Sequence, residues 1–191
     1  MHKLSFSIKP YNAEMIKTKI PKKLEGCVIM FREMRRKNQL LSKEETIKIL
    51  KSCTSGVLGV IGDNGYPYTV PVSYTLKDDK IFIHGAKEGH KIDSIKRNDK
   101  VSFCVIEKDE VIQNTFTTHF RSASIFGRAR IITEDSEKRY ALESLVEKYS
   151  PDYIKEGHPK IESGWDWVCL VEIKIEHMTG KAATEIINTK K

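Results

Sequence analysis

The chain has 191 residues, of which 39% are hydrophobic and 31% are charged. This composition is typical of one soluble globular domain and excludes a disordered chain. No apolar run approaches the roughly 20 residues needed to span a bilayer, and the N-terminus lacks the apolar segment of a secretory signal. The sequence therefore predicts a cytoplasmic protein that does not act in a membrane.

The net charge of +7 is concentrated near the N-terminus. The first forty residues carry ten Lys or Arg against three Glu, whereas the other 151 residues carry 23 basic and 23 acidic groups. A neutral main body argues against a globally basic surface for nucleic acid, and no nucleic acid partner is predicted. We expect residues 1–30 to form a basic N-terminal extension and residues 31–191 to form the folded domain.

The predicted elements begin with a helix. Ser42 and Glu45 have the spacing of a capping box, and the apolar residues behind them predict a helix over 43–52. A meander of three strands follows, over 57–61, 68–76 and 81–84, with turns at GDNG and KDDK. The helical spacing of Ile92 and Ile95 predicts a short helix over 90–98, and a strand follows over 101–106.

The second half of the chain continues the β pattern. Residues 109–120 show no period and are predicted to be irregular. A strand over 123–132 then leads into a helix over 133–149 that Pro151 ends. Alternation from Trp167 to Ile175 predicts the last strand. About six strands and three helices, joined mostly by hairpins, favour a mainly β fold: a closed or split antiparallel barrel with flanking helices.

Signatures of several other enzyme classes are absent from the sequence. It contains no GxSxG elbow, P-loop, GxGxxG or HExxH pattern. No two carboxylates are placed for acid–base work. No metal site is predicted, because the cysteines are far apart and lack ligand spacing. We expect them to be ordinary thiols: Cys27, Cys53, Cys104 and Cys169.

The second strand and the loop after the third strand carry the chemistry that the sequence offers. Pro67 and Pro71 each remove a backbone donor, so this strand is predicted to lie at an edge or beside a split in the sheet. The loop HGAKEGHK contains two glycines, which allow a ligand to approach the backbone. Unpaired amides at the start of the next helix, with Lys87, His90 and Lys91, are suited to a phosphate monoester.

Each of these features also has a purely structural explanation. Prolines protect edge strands from aggregation, and a turn with glycines and solvated lysines is common. His84 suits either a structural hydrogen bond or proton delivery to a reduced substrate. Trp165 and Trp167 suit either stacking on a flat ring or packing in the core.

The order of these motifs resembles one family. The segments GYPYTVPVSY, FIHGAKEGHK, IDSIKRN, VSFCV and FRSASIFGRA are similar to the flavin-binding split-barrel proteins related to pyridoxamine 5′-phosphate oxidase. Within that superfamily the chain looks most like the 5-nitroimidazole resistance (Nim) type. The resemblance spans most of the chain and implies a six-stranded split β-barrel, a homodimer and FMN bound at the subunit interface.

The resemblance also implies roles for individual residues. The edge of the isoalloxazine would run along the second strand, and the ribityl phosphate would lie in the loop after the third. Ser122 would reach the cofactor from a later hairpin, and His84 is the candidate catalytic residue. The implied cofactor-binding residues are Thr69, Val70, Pro71, Val72, Ser73, His84, Gly85, Ala86, Lys87, His90, Lys91 and Ser122.

The implied activity is that of an FMN-dependent reductase. It would pass electrons from NAD(P)H or a protein donor to a small electrophile such as a nitroaromatic. Two alternatives stay open: a non-catalytic flavin- or haem-binding protein, and an oxidase of the superfamily with a different substrate. Pyridoxamine phosphate itself is disfavoured, because the strand TVPVSY lacks the Arg and Lys that the oxidases proper carry there.

Overall fold

The computed structural model describes residues 31–188, so the predicted extension over 1–30 lies outside the described residues, as does Cys27. The described part contains six strands and five α-helices. The strands are β1 (Ser55–Ile61), β2 (Pro67–Lys77), β3 (Lys80–Ala86), β4 (Lys100–Ile112), β5 (Thr117–Ile131) and β6 (Val168–Ala182). The helices are α1 (Lys43–Ser52), α2 (His90–Arg97), α3 (Asp135–Tyr149), α4 (Ile154–Gly164) and α5 (Thr184–Asn188).

All six strands form one antiparallel barrel. Their order is β1-β2-β3-β6-β5-β4, and pairing of β1 with β4 closes it. The first three strands are a meander, β4 and β5 form a long hairpin, and β6 inserts between β3 and β5. The predicted fold, a mainly β six-stranded antiparallel barrel with flanking helices, is confirmed.

The interior of the barrel is filled by side chains from alternate positions of each strand, as the period of two requires. Leu58, Phe103 and Ile125 are at most 1% exposed. Tyr74 packs edge-on against Phe103, with 5.0 Å between the ring centroids, and its hydroxyl donates to the carbonyl of Leu50 at 2.7 Å. This buried hydrogen bond ties the end of α1 to the barrel core.

α1 begins with the capping box that the sequence predicts. The Ser42 hydroxyl accepts from the amide of Glu45 at 3.1 Å, and the Glu45 carboxylate accepts from the amide of Ser42 at 3.4 Å. Such a cap contributes about 1 kcal/mol to helix stability. The helix buries Ile49 and Leu50 and contacts β2, β4, β5 and β6, so it covers one end of the barrel.

Four segments differ from the sequence predictions, and one of them is the short helix α5, which was not predicted. Residues 109–120 are not irregular: they form the outer part of the β4–β5 hairpin, where Asp109 pairs with Phe120. Most side chains there are exposed, so no hydrophobic alternation marks the strands, and backbone pairing alone defines them. The last strand continues past Ile175 to Ala182 through polar residues paired with β5. α4 is also additional to the prediction; it contains Pro159, a helix-breaking signal.

Three further observations concern the described residues. Cys53, Cys104 and Cys169 are free thiols. No helix among residues 31–188 is long and apolar enough to cross a bilayer. In the same part of the chain, no three His, Cys, Asp or Glu side chains cluster in a way that could hold a metal ion.

Candidate functional site

β2 and β3 separate midway along their length. β2 pairs with β3 only from Tyr74 to Lys77, although it pairs with β1 over residues 67–73. β3 continues to Ala86 while paired with β6 on its other side. Beyond the pair Tyr74–Ile83, two backbone edges therefore diverge without a ladder between them. Backbone amides and carbonyls on such edges are free to bind a polar ligand.

The two prolines of β2 lie on this unpaired stretch. Pro67 and Pro71 pair with Ile61 and Val57 of β1 and have no partner on β3. Proline has no amide to donate, so it is tolerated where a strand lacks a neighbour. The prediction that these prolines lie at an edge or beside a split is confirmed.

Side chains along the unpaired stretch of β2 alternate between solvent and core. Thr69, Pro71 and Ser73 are exposed, whereas Val70 and Val72 are half-buried and pack against the barrel core. A ligand at this edge can therefore contact the side chains of Thr69, Pro71 and Ser73. Of the two valines, only the backbone is available to it, because their side chains hold the strand against the core.

The loop after β3 leads directly into α2. His84 and Ala86 are exposed, and Gly85 is half-buried between them. Gly89 precedes the helix with a φ of 119°, a conformation in which a side chain would be strained. No side chain caps α2. The first amides of the helix lack helical partners, so they present donors and the positive end of the helix dipole.

The ammonium of Lys91 lies over the backbone of Gly85. A Cβ added to Gly85 would stand 2.7 Å from Nζ and 3.0 Å from Cε of Lys91, so only glycine leaves the lysine this position. Within the described part of the chain, neither the side chain of Lys91 nor that of the exposed Lys87 has a hydrogen bond or ion pair to another residue. Two ammonium groups without counter-ions beside an open backbone are suited to an anion.

The ring of His90 is directed to the β1–β2 turn. It stacks on Tyr68, with 4.1 Å between centroids, and its Nε2 accepts from the amide of Asp63 at 3.3 Å. Arg97, two turns further along the same face of α2, donates to the Asp63 carboxylate at 2.7 Å. His90 thus joins α2 to the turn before β2. Its Nε2 is engaged, and its Nδ1 and backbone amide remain for a ligand.

Ser122 lies far from these residues within one chain. It is on β5, where it pairs with Ile106 of β4 and Lys181 of β6. β5 is three strands from β2 in either direction around the barrel, so the two strands stand on opposite sides of it, about 14 Å apart along the barrel wall at the usual strand spacing. A single chain therefore does not bring Ser122 to the unpaired edge of β2.

The outer face of β1, β4 and β5 is a feature that the sequence predictions missed. The strand register aligns Pro71, Val57, Cys104 and Ser124 in one row across β2, β1, β4 and β5. Val57 is 37% exposed. Other exposed apolar side chains on these strands are Ile61, Ile106, Val111 and Phe126. The available signal was that the outward positions of β1 carry no charge, in contrast to an ordinary solvated face.

The two tryptophans have different surroundings. The ring of Trp165 is contacted by Lys138 at 4.6 Å and by Arg139 at 4.9 Å, measured from the charged groups to the ring centroid. Trp167 is 81% exposed. Of the two rings that the sequence offers for stacking on a planar ligand, that of Trp167 is accessible.

The sequence matches a family model described as pyridoxamine 5′-phosphate oxidase over residues 42–182. This range includes all six strands, the loop after β3 and α2. No protein of curated function matches the chain.

Solved structures share the fold at low sequence identity. A candidate 5-nitroimidazole antibiotic resistance protein from Bacteroides thetaiotaomicron is 22% identical, with a TM-score of 0.60 over 75% of this chain and 86% of that one. Flavocytochrome Anf3 from Azotobacter vinelandii is 19% identical, with a TM-score of 0.68 over 80% and 72% of the two chains. An FAD- and haem-binding protein from Mycobacterium smegmatis is 18% identical, with a TM-score of 0.66 over 81% and 80%.

Proposed function

The chain belongs to the pyridoxamine 5′-phosphate oxidase family, and from this premise we propose that it binds FMN and reduces small electrophiles such as nitroimidazoles. The observation that carries the proposal is the pair of unpaired strand edges with Lys91 lying over Gly85. Bound flavin would supply the redox chemistry, while the protein binds and orients it and shapes the space for the substrate.

The residues at the split fit the parts of FMN. The backbone of residues 69–73 offers donors and acceptors to the polar edge of the isoalloxazine, with Thr69 and Ser73 exposed beside it. Gly85 and Ala86 leave room for the ribityl chain. Lys91, Lys87 and the first amides of α2 would bind the phosphate through charge-assisted hydrogen bonds.

His84 is the proposed proton donor. It is exposed on β3, beyond the point where β2 and β3 separate, and next to Gly85. Histidine exchanges protons readily near neutral pH. In this proposal a ring nitrogen of His84 delivers a proton to the substrate as it is reduced. Because β3 pairs with β6 at this residue, the backbone that carries the imidazole is held in place.

We also propose a homodimer that completes the site. The row Pro71, Val57, Cys104 and Ser124 begins at the unpaired edge of β2 and carries no charge, so a second copy covering this row would lie beside the bound flavin. Ser122 of that copy would then reach the cofactor that it cannot reach within its own chain. Burial of the exposed Val57, Ile106 and Phe126 supplies a hydrophobic driving force for association.

The proposed substrate class follows from what the site lacks. The stretch TVPVSY has no Arg or Lys to bind the phosphate of pyridoxamine phosphate, which favours an uncharged electrophile. The fold shared with the candidate 5-nitroimidazole resistance protein is in agreement. NAD(P)H is the proposed electron donor.

The alternative is a flavin- or haem-binding protein without turnover, which the likeness to the FAD- and haem-binding protein favours. An oxidase with another substrate is the third candidate.

Flavin binding is tested with purified full-length protein titrated with FMN. We expect quenching of flavin fluorescence with saturation at one FMN per chain. Lys91→Ala should weaken binding by about 1–3 kcal/mol, the contribution of one charge-assisted contact. Lys155→Ala removes another exposed lysine, on α4, and should leave FMN affinity unchanged. The proposal fails if FMN does not bind, or if the two variants bind it equally.

Turnover is tested separately on the FMN-loaded protein without oxygen. NADPH should bleach the flavin absorbance, and metronidazole should restore it faster than buffer does. His84→Asn should slow the reoxidation while FMN affinity stays the same. If metronidazole and buffer give the same rate, the protein is a flavin binder and not a reductase of this class.

A further inference from the structure

A second basic cavity lies beside the loop that is proposed to bind the flavin phosphate. Its volume is about 290 Å³. Its walls come from the loop after β3, from α2, from the end of β5 and the segment after it, from the start of α3, and from β6. The charged residues that line it are Lys87, Lys96, Lys138 and Asp135. Lys87 belongs to both places, so the cavity adjoins the proposed phosphate site.

The Cys169 thiol lies within the electrostatic influence of the lysines around the cavity. It is 7% exposed, lines the cavity and pairs with Gly85 across β3 and β6. Burial raises the pKa of the Cys169 thiol, and the ammonium groups of four lysines act against that rise: Lys91, Lys138, Lys96 and Lys87. These lysines come from the loop after β3, from α2 and from α3, so three separate elements direct positive charge to one place.

The protein leaves most of this charge uncompensated. Within residues 31–188, the side chains of Lys87 and Lys96 make no hydrogen bond or ion pair with another residue. Lys138 donates to the carbonyl of Trp165 and lies over its ring, contacts that fix the ammonium without neutralising it. Asp135 is the one acidic residue among the described residues of the lining. Positive charges that line one cavity repel one another, and an anion bound among them offsets that repulsion.

The cavity is larger than a phosphate group alone requires. Thr133 and Asp135 at its rim offer a hydroxyl and a carboxylate, groups that bind sugar hydroxyls. Ile131, Ile132 and Val168 supply apolar wall. Cationic groups, hydroxyl acceptors and apolar surface together match a phosphorylated nucleoside better than an inorganic ion.

We propose that this cavity binds the phosphate-bearing adenosine half of a dinucleotide. The inference rests on the proposed function. The flavin or nicotinamide half of the dinucleotide would lie at the split, next to Lys91 and Gly85, and the adenosine half would enter the adjoining cavity at Lys87. Two dinucleotides carry this chemistry, FAD and NADPH. If FAD is the ligand, it replaces FMN as the cofactor and flavin binding itself is retained. If NADPH is the ligand, the cavity selects the electron donor.

The cavity is tested with ADP as the probe and full-length protein in a calorimeter. We expect ADP to bind, and Lys96→Glu to weaken it by about tenfold or more because an attraction becomes a repulsion. Lys155→Glu makes the same charge change on α4, away from the cavity lining, and should leave ADP binding unchanged. Melting temperatures of both variants verify that each is folded.

Further titrations distinguish FAD from NADPH as the dinucleotide whose adenosine half the cavity binds. FAD binding about tenfold tighter than FMN, with the advantage lost in Lys96→Glu, assigns the cavity to FAD. Equal affinity for FMN and FAD, with Lys96-dependent binding of 2′-phospho-ADP-ribose to the FMN-loaded protein, assigns it to NADPH. Absence of ADP binding, or ADP binding that Lys96→Glu does not change, overturns the inference. Whether FMN binds is a separate measurement, so the proposed function fails or stands independently of the cavity.

Discussion

The Lys91 ammonium occupies the space that a side chain at Gly85 would fill: its nitrogen lies 2.7 Å from the position that a Cβ of residue 85 would take. Gly85 is fixed by its pairing with Cys169 on β6, whereas Lys91 is in the first turn of α2. The absence of a side chain at Gly85 on β3 therefore determines where the ammonium group of Lys91 on α2 can lie.

Gly85→Ala should displace the Lys91 ammonium and weaken FMN binding by about tenfold, the effect of losing one charge-assisted contact. Folding stability should change little, because the atom that must move is the flexible end of a lysine. The control is Gly164→Ala, at a position where an added Cβ meets nothing within 4 Å. Fluorescence titration of FMN with both variants provides the measurement. Equal FMN affinity in both would show that the position of Lys91 is unimportant.

Val57→Asp should convert the proposed dimer into a monomer and reduce FMN affinity. A carboxylate buried in an apolar interface without a partner destabilises the dimer by about 2–5 kcal/mol. Ile154→Asp is the matched control, since Ile154 is 44% exposed and Val57 is 37% exposed, and Ile154 begins α4 outside the proposed interface. Light scattering gives the mass of each variant. A Val57→Asp protein that remains dimeric would place the interface elsewhere.

Tyr149→Phe should destabilise the fold by about 1–3 kcal/mol, because buried backbone groups lose a partner. The Tyr149 hydroxyl accepts from the amide of Tyr74 at 2.8 Å, and it contacts the carbonyls of Tyr74 and Thr54. These bonds hold α3 against β2 just where β2 leaves β3. Tyr153→Phe, at a tyrosine that is 63% exposed, should be neutral. Urea denaturation of both variants measures the difference, and equal midpoints would contradict the prediction.

Lys148 should make stability rise with pH in the alkaline range. Burial lowers the pKa of the Lys148 ammonium to about 8, against 10.5 for an ordinary lysine. Between these values the unfolded chain binds more protons than the folded chain, so the free energy of unfolding increases with pH. Burial also raises the pKa values of the Tyr74 phenol and of the Cys169 thiol. Both groups contribute with the opposite sign, the thiol from about pH 9 and the phenol from about pH 10. The window of pH 8 to 10 is therefore informative only when the wild type is compared with a Lys148 variant that keeps both groups.

Denaturation of the wild type and of Lys148→Met across this window isolates the lysine. The wild type should gain stability relative to the variant as the pH rises. The ammonium lies 3.8 Å from the centroid of the Tyr74 ring, and this attraction favours the charged form. A difference between the two proteins that stays constant from pH 8 to 10 would mean that the ring offsets the effect of burial.

Much of the fold could be predicted because its signals are local. The capping box of Ser42 and Glu45 is a property of four consecutive residues, and the barrel strands with one buried face show alternation. Pro67 and Pro71 indicated a gap in the sheet because proline removes a donor from whichever strand contains it. The exposed part of the β4–β5 hairpin gave no such signal, since its strands are defined by backbone pairing between polar residues.

The sequence by itself determined the kinds of residue at the candidate site: prolines on one strand, a histidine and glycines after the next, and lysines on the helix. Only the tertiary structure decided which of them meet. It directs His90 to Asp63 and Lys91 to Gly85, although the two side chains are adjacent in the chain, because successive residues of a helix point in different directions. It also gathers Lys87, Lys96 and Lys138 around one cavity. Contacts between distant segments depend on strand order and helix packing, which no local pattern encodes.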